Sequence, residues 1–387
     1  MKEHYLLDPE IIFLNHGSFG ATPRPVMDAY QSWQIKLERQ PVHFISHELL
    51  PELKRARQAL GSYLNADADD LVYIPNATYG VNIVARSLQL EPGDEILTTD
   101  HEYGACENVW KFVSQKNGSI LVKRPIPLPL ASPTEIVDHF WQDVTPKTRV
   151  IFISHITSPT AVRMPVEMIC KKARQAGIFT VIDGAHAPGQ IPLDLTALES
   201  DFYLGNCHKW MQSAKGAGFL YTRRALQPML EPLVISWGWG ENASFTSGSQ
   251  YLDYFEWAGT NDLSAYLSVP AAIQFQAEHD WPAIQERCRQ ILADGLKRID
   301  QLTGLENVYS DQAEPFVQMA VVRLPPIEDI SELKRQLLEQ YRIEVPCIEW
   351  NGQHFIRISV QAYNEAGDME ALASVLTKLL REHRSEP

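Results

Sequence analysis

The chain has 387 residues, which is long enough for two domains, and its 45% hydrophobic and 21% charged residues are typical of a soluble globular protein. A formal net charge of −14 argues against nucleic-acid binding, and no apolar run is long enough to span a membrane, so we expect neither partner. Five dispersed cysteines without a CxxC pair, and an N-terminus without a secretory signal pattern, predict a cytoplasmic protein with free thiols.

The first predicted element is a strand-like run at residues 11–14, followed by a segment that contains Asn15, His16 and Gly17. Two glycines and two prolines before the next helix indicate a shaped loop. It is either a turn into that helix or a backbone segment that lies against a ligand. Apolar residues at intervals of three and four then predict helices up to Leu64.

Strands and helices alternate at close spacing in the middle of the chain. Strand-like runs occur at 71–74, 95–99, 150–154, 178–182 and 202–204. This alternation predicts a mostly parallel sheet covered by helices, whose ligands bind at the carboxyl ends of the strands. Those ends carry residues 76–78, His101, residues 157–158 and residues 183–186.

One predicted helix begins directly after Asn76, at Ala77 and Thr78. Free amide groups and the positive end of the helix dipole make such an N-terminus suitable for binding a phosphate. The alternative is that Thr78 only caps the helix, and the two interpretations are compatible.

The last third of the chain has the pattern of a smaller α+β region. It contains predicted strands at 317–324, 343–350 and 355–360, and predicted helices at 330–341 and 368–380. Asn351-Gly352, between the last two strands, is a strong hairpin signal. We therefore predict an α/β protein with an N-terminal arm (1–25), a large domain with a mostly parallel, helix-covered sheet (26–265) and a small C-terminal α+β domain (266–387).

A lysine, an aspartate and a helix N-terminus at the strand ends match the chemical needs of pyridoxal 5'-phosphate (PLP). The aldehyde of PLP forms a Schiff base with a lysine, and a carboxylate keeps its ring nitrogen protonated. Lys209 and Asp183 suit these two roles. The phosphate suits Ala77–Thr78 together with His208, and His101 would stack on the ring.

A set of short motifs spreads over nearly the whole chain. They are Leu14-Asn-His-Gly-Ser-Phe-Gly20, Asn76-Ala-Thr78, Asp100-His101, His155-Ile-Thr-Ser158, Asp183-Gly-Ala-His186, His208-Lys209, Glu256-Trp-Ala-Gly-Thr260 and Ile356-Arg-Ile-Ser359. With these motifs the chain resembles the fold type I PLP enzymes, specifically the class V aminotransferase group that includes cysteine desulfurases. The first motif makes it most similar to the isopenicillin N epimerase-like branch of that group.

The resemblance implies a role for each matching residue. Lys209 would carry the Schiff base, Asp183 would pair with the ring nitrogen, and His101 would stack on the ring. The remaining implied roles are phosphate binding by Asn76, Ala77, Thr78, Asn206 and His208, contact with the ring hydroxyl by His186 and Ser158, contact with a neighbouring subunit's phosphate by Gly259 and Thr260, and substrate binding by Asn15, His16, Gly17 and Arg357. The resemblance thus implies a homodimer with shared active sites, a small amino-acid substrate and no metal.

These motifs hold a cofactor that several reactions share, and they do not choose among the reactions. An epimerase needs a second base besides Lys209, and Tyr103, His16 and His43 are the candidates. A C–S lyase needs only Lys209 and a leaving group at the substrate Cβ, whereas an aminotransferase needs Lys209 and a second, keto-acid substrate. A desulfurase needs a cysteine on a mobile loop, whereas Cys347 lies in a predicted strand and is expected to be structural.

We therefore predict a PLP-dependent enzyme that acts at the α-carbon of an amino acid, with epimerase as the leading reaction. A C–S lyase or cysteine desulfurase and an aminotransferase are the alternatives. A catalytically idle relative that only binds ligands is the alternative from a different class, and the presence of both Lys209 and Asp183 argues against it.

Overall fold

A computed structural model describes residues 1–129, 131–240, 243, 246–309 and 316–382. Its N-terminal part contains strand β1 (Ile12–Phe13) and helices α1 (His16–Phe19), α2 (Arg24–Arg39), α3 (Pro41–His43) and α4 (Leu49–Leu64), with a π-helical segment, Phe44–Glu48, before α4. Helix α4 ends because Asn65 adopts a left-handed conformation, with φ of 48°. The prediction of helices up to Leu64 is therefore confirmed.

The central sheet has seven strands, which are β2 (Leu71–Ile74), β3 (Glu95–Thr99), β4 (Ile120–Arg124), β5 (Thr148–Ser154), β6 (Phe179–Gly184), β7 (Phe202–Asn206) and β8 (Gly218–Thr222). Their order across the sheet is β2-β8-β7-β6-β5-β3-β4. Strand β8 runs antiparallel to both of its neighbours, and the other neighbouring pairs are parallel. The predicted mostly parallel sheet is thus confirmed.

The sheet is buried on both faces. In β5, Val150 and Phe152 belong to one apolar cluster, whereas Ile151 and Ile153 belong to the cluster on the opposite face. Helices α5 (Ala77–Ser87), α6 (Gly104–Asn117), α7 (Pro133–Trp141), α8 (Val166–Ala176) and α9 (Leu195–Leu198) lie between the strands in sequence. The alternation of side chains in β5 places apolar residues on both faces, which is why the strand reads as a continuous apolar run.

The C-terminal part combines helices with a small antiparallel sheet. Its elements are α10 (Gln250–Phe255), α11 (Ser264–Leu267), α12 (Val269–Glu278), α13 (Trp281–Thr303), β9 (Met319–Leu324), α14 (Ile330–Glu339), β10 (Ile343–Glu344), β11 (Cys347–Trp350), β12 (Gln353–Ser359) and α15 (Ala366–Glu382). The sheet order is β11-β12-β9. The predicted hairpin is confirmed, because Trp350 pairs with Gln353 and the two turn residues, Asn351 and Gly352, both have positive φ.

The N-terminal arm is joined to the C-terminal part. Strand β1 pairs in parallel with β10, and the amide of Gly17 donates to Ser359 Oγ at 3.1 Å. A Cβ on Gly17 would lie 2.6 Å from Met319 Sδ, so only glycine fits there without a shift. The single strand predicted at 343–350 is in fact divided into β10 and β11, with Pro346, which has no N–H for a ladder, between them.

None of the described helices has the length and apolar content needed to cross a lipid bilayer.

Candidate active site

A cavity of about 660 Å³ opens at the carboxyl ends of β5, β6 and β7, next to the N-terminus of α5. Most of the predicted site residues line it: Gly17, Asn76, Ala77, Thr78, Ser158, Asp183, His186, Asn206, His208, Lys209 and Arg357. These residues come from distant parts of the chain, and the parallel sheet brings them together because its strands end on one edge.

Lys209 lies three residues beyond the end of β7 and is half-buried in the cavity wall. Its Nζ is 3.2 Å from Nε2 of His186. Desolvation lowers the pKa of Lys209 to about 8, although the charge of Asp183 acts in the opposite direction. A lysine with this pKa has a substantial neutral fraction near physiological pH, and the neutral amine is the nucleophilic form.

Asp183 lies near the end of β6 and is buried. Its Oδ1 accepts a hydrogen bond from the amide of Ala185 at 2.9 Å, and the thiol of Cys106 lies 3.5 Å from Oδ2. Burial raises the pKa of Asp183, while the Ala185 amide and the charge of Lys209 lower it. A buried carboxylate with so few donors is well suited to pair with a cationic ligand atom.

Two asparagines accept hydrogen bonds from backbone amides at the N-terminus of α5. Asn76 Oδ1 accepts from the amide of Tyr79 at 2.9 Å, and Asn206 Oδ1 accepts from the amide of Ala77 at 2.9 Å. Asn206 therefore uses its oxygen for the helix, and its amide NH₂ remains as the group that can donate to an anion. Thr78, between these two bonded amides, lines the cavity.

His208 also lines the cavity. Its Nδ1 donates to the carbonyl of Ala217 at 2.8 Å, and burial lowers its pKa to about 4. Nε2 is consequently the ring nitrogen that can face a ligand, and an anion bound there would favour the protonated ring.

Arg357, in β12, brings a buried guanidinium to the cavity. Nη1 donates to the carbonyl and hydroxyl of Ser158 at 2.5 and 3.2 Å, and Nη2 donates to Ser18 Oγ at 3.1 Å. Burial lowers the pKa of Arg357 to about 10, and Nε has no hydrogen-bond partner among the described residues. In this structure Ser158 orients the arginine.

His101 does not line the cavity, although it was predicted to stack on the cofactor. Its Nε2 donates to the carbonyl of Ile126 at 2.7 Å, its Nδ1 accepts from Thr160 Oγ1 at 2.6 Å, and its ring packs against Trp350 with centroids 4.3 Å apart. The side chain is fully buried in these contacts, so the structure gives no support to a stacking role.

Two predicted substrate-binding residues also lie outside the cavity lining. Asn15 Nδ2 donates to Glu344 Oε1 at 3.3 Å. His16 is fully buried, with Nδ1 3.0 Å from the hydroxyl of Tyr363 and Nε2 3.1 Å from the carbonyl of Lys209. Burial also lowers the pKa of His16 to about 3. The predicted loop is instead the short helix α1, which carries Gly17, and these contacts hold it in place. His16 is therefore poorly placed to act as a base.

Gly259 and Thr260 do not line the cavity of their own chain either, and Thr260 is exposed. His43 lies on the surface, 3.3 Å from Glu48 Oε1. Of the candidates for a second base, Tyr103 is the one that lines the cavity, and its side chain is 48% exposed.

Sequence reasoning assigned no role to several other residues of the cavity wall, namely Ser18, Phe19, Ser154, Ala185, Lys215 and Gly216. Ser154 is joined to a buried carboxyl, because its amide and hydroxyl both donate to Glu102 Oε2 at 2.8 and 2.6 Å. Its position as the last residue of β5 is the signal that could have identified it. Lys215 has no comparable signal, since it lies in a loop after β7.

The chain matches the family model "Aminotransferase class-V" over residues 12–372, and it therefore belongs to the class V aminotransferase family. It is 37% identical to the isopenicillin N epimerase of Amycolatopsis lactamdurans, covering 98% of this chain and 97% of that protein. It is 34% identical to the isopenicillin N epimerase of Streptomyces clavuligerus, covering 97% of each.

Among solved structures the chain is similar to a variant of C-DES, with a TM-score of 0.83, 22% identity, and coverage of 97% of this chain and 99% of the other. C-DES is described as a cystine C–S lyase, and the variant has glycine covalently linked to its PLP cofactor. At this identity the likeness shows the fold. The predicted family, fold and cofactor are confirmed, and the protein is a PLP-dependent enzyme.

The residues of the cavity fit PLP. The cavity has the size of a small-molecule site, and its wall combines a lysine amine, a buried carboxylate and a helix N-terminus. Among the described residues, the buried Nε of Arg357 has no hydrogen-bond partner, as expected of a group that binds an anion.

Proposed function

We propose that this protein is a cytoplasmic, homodimeric epimerase that inverts the α-carbon of an amino acid or of an aminoacyl group. The observation that carries the proposal is the composition of the cavity wall, in which Lys209, Arg357 and Tyr103 meet without a cysteine thiol among the described residues. The relatives named as isopenicillin N epimerases support the same reaction, so isopenicillin N is the first substrate to test.

When bound, PLP supplies an electron sink that makes the α-hydrogen of an attached amino acid acidic. Lys209 would anchor its aldehyde, and Asp183 would keep its ring nitrogen protonated. Thr78, Asn206 and His208 would hold its phosphate at the N-terminus of α5.

Tyr103 is the residue to which we assign the ring-stacking role in place of His101. Its aromatic ring lines the cavity, and a flat side chain there can cover a flat cofactor. Lys209 would move a proton at one face of the α-carbon, and the Tyr103 phenol would do so at the other. Arg357 would hold the substrate carboxylate through two parallel hydrogen bonds, which keeps the α-carbon between these two groups.

A desulfurase reaction is less well supported, because it needs an accessible thiol. Cys347 lies in β11 and is half-buried outside the cavity lining, and burial holds its pKa well above the ordinary value. Cys207 and Cys106 are fully buried. A C–S lyase remains the second candidate, because it needs only Lys209 as the acid–base group and because the structurally similar C-DES is one.

The decisive experiment incubates the PLP-loaded enzyme with isopenicillin N and a panel of amino acids in deuterated water. Epimerisation gives inversion with deuterium at the α-carbon of the product. A lyase gives pyruvate together with sulfide or a thiol, and a transaminase gives a keto acid only when an acceptor is present. Inversion refutes the lyase, and pyruvate without inversion refutes the epimerase.

Two variants separate the acid–base groups. Lys209→Ala should form none of the products of the three reactions. Tyr103→Phe retains the stacking ring but lacks the hydroxyl, so it should exchange the α-hydrogen of the substrate without inverting it. Normal inversion by Tyr103→Phe would refute the two-base assignment while leaving the cofactor assignment intact.

The dimer is proposed from the position of Gly259 and Thr260, which would reach the phosphate bound by a second copy. Lys209→Ala and Thr260→Ala should each be impaired when pure. Mixing them should restore roughly a quarter of the wild-type activity, because random exchange makes about half of the dimers hybrid and each hybrid has one complete site. No recovery in subunits shown to exchange would mean that Thr260 serves its own chain.

A further inference from the structure

Trp210 directly follows the cofactor lysine, and its indole is fully buried behind the cavity. The indole packs against the ring of His16, with centroids 4.9 Å apart, and the Trp210 carbonyl accepts from Gln276 Nε2 at 3.0 Å. Its single polar side-chain atom, Nε1, lies 3.3 Å from Nδ1 of His186. The side chain is therefore held in place with its N–H directed at one histidine nitrogen.

An indole N–H can only donate, so Nδ1 of His186 must accept and carries no proton. His186 is 2% exposed, and desolvation holds its pKa well below the ordinary value, assisted by the charges of Lys209 and Arg357 and by His16. The ring is consequently neutral. A neutral imidazole has one ring proton, which must then lie on Nε2.

Nε2 of His186 lies 3.2 Å from Nζ of Lys209. An Nε2–H can bond to that nitrogen only when the amine has a lone pair, because an ammonium group has no acceptor. Among the charged groups near the amine, Asp183 favours its protonated form and Arg357 disfavours it. The hydrogen bond from His186 therefore favours the neutral amine of Lys209, as Arg357 and burial also do.

We propose that Trp210 is a positioning residue that fixes His186 as an Nε2–H donor and thereby holds Lys209 as the neutral amine that captures the aldehyde of PLP. It follows that His186 presents a donor to the cavity and is not the second base. This inference rests on the cofactor assignment and is independent of whether the reaction is an epimerisation.

The first test observes the histidine rings directly. Histidine labelled with ¹⁵N in the full-length, cofactor-free protein reports the protonation of both ring nitrogens, and His186→Gln identifies the His186 signals. The expected result is a protonated Nε2 and an unprotonated Nδ1. A protonated Nδ1, or a doubly protonated ring at neutral pH, would overturn the proposal.

The second test measures how fast the cofactor-free protein captures PLP, from the growth of its visible absorption band in stopped flow across a range of pH. Trp210→Phe should slow capture at neutral pH by about five-fold and move the midpoint of the rate to higher pH, as expected for the loss of one hydrogen bond. Trp110→Phe is the matched control, because Trp110 is as deeply buried, and its Nε1 has no hydrogen-bond partner among the described residues. This control should capture PLP at the wild-type rate.

The double variant Trp210→Phe/His186→Gln distinguishes a specific effect from a packing defect. The glutamine amide can donate whether or not the indole is present, so Trp210→Phe should have no further effect in the His186→Gln background. An undiminished effect in that background, or an equal loss in Trp110→Phe, would show that Trp210 acts only through packing.

Discussion

Replacing Arg357 by methionine should abolish tight substrate binding while leaving the protein at least as stable as the wild type. The reason is that the partners of this buried guanidinium, among the residues that the structure describes, are hydroxyl and carbonyl groups of Ser158 and Ser18. Such a charge lowers the stability of the free protein, and it gains an anionic partner only when a carboxylate binds.

The expected changes in stability and in substrate affinity can be worked out from the pKa of Arg357 and from its contacts. Burial lowers the pKa of Arg357 from 12.5 to about 10. The difference of 2.5 (12.5 − 10) corresponds to roughly 3 kcal/mol of lost stability. The three hydrogen bonds offset this by about 1 kcal/mol each, so methionine should leave the melting temperature unchanged or slightly raised. Removing one partner of a buried charge pair costs about 3–5 kcal/mol, so the substrate should bind roughly 150- to 5,000-fold more weakly.

The assay combines the substrate Kd, from changes in the visible band of the PLP-loaded protein, with the melting temperature. Arg57→Met is the matched control, because Arg57 is equally buried but forms ion pairs with Glu256 and Asp69. That variant should melt at a lower temperature, since it leaves Glu256 without its cation. An Arg357→Met protein that melts well below the wild type, or that binds substrate normally, would refute the reasoning.

Three further predictions concern Glu102, Cys347 and Asn206. Burial raises the pKa of Glu102 to about 8 from the ordinary 4.5, so the folded state binds the proton more tightly than the unfolded state. The contribution of this group to stability is therefore complete below pH 4.5 and is lost as the pH rises through about 8. Glu102→Gln should remove that part of the pH dependence of the melting temperature, and an unchanged profile would contradict it. Cys347→Ser should keep turnover within about two-fold of the wild type, because conservative substitutions away from a site cost little; loss of product formation would instead revive a desulfurase mechanism. Asn206→Ala removes the acceptor of the Ala77 amide and should weaken PLP binding about five- to ten-fold, measured by equilibrium dialysis; unchanged affinity would place the phosphate elsewhere.

The sequence was most informative about site residues that lie within or directly after a regular strand. Lys209 and Asp183 were predicted from their positions just after or within buried strands, and the structure brings both to the cavity. The end of an apolar run marks where a buried strand ends, and parallel strands end on one edge of the sheet, so a residue at that point can be placed without knowing any long-range contact.

In the turn between β3 and α6, ring stacking was predicted for His101, whereas Tyr103 is the residue that lines the cavity. His101 and Tyr103 are two residues apart in this turn, and sequence spacing does not say which of them faces the cavity. The direction is set by long-range contacts, because the His101 ring is held by Ile126, Thr160 and Trp350. His16 is a similar case, since Tyr363 and the Lys209 carbonyl hold its ring away from the cavity. Such contacts carry no local signal in the sequence.

The cavity and the whole chain have net charges of opposite sign. The formal net charge is −14, yet the cavity wall combines three cationic side chains, Lys209, Lys215 and Arg357, with one carboxylate, Asp183. A low-dielectric cleft of one sign concentrates ligands of the opposite sign, and here both expected ligands carry anionic groups, a phosphate and a carboxylate. The acidic charges elsewhere on the chain do not weaken this attraction, because surface charges beyond about 8–10 Å are screened by salt whereas buried ones are screened far less. Without its ligands, the protein has more cationic than anionic side chains in this cavity. This excess explains why Arg357 has no anionic partner there among the described residues and, together with burial, why Lys209 is partly deprotonated, and the anionic groups of the ligands would balance it.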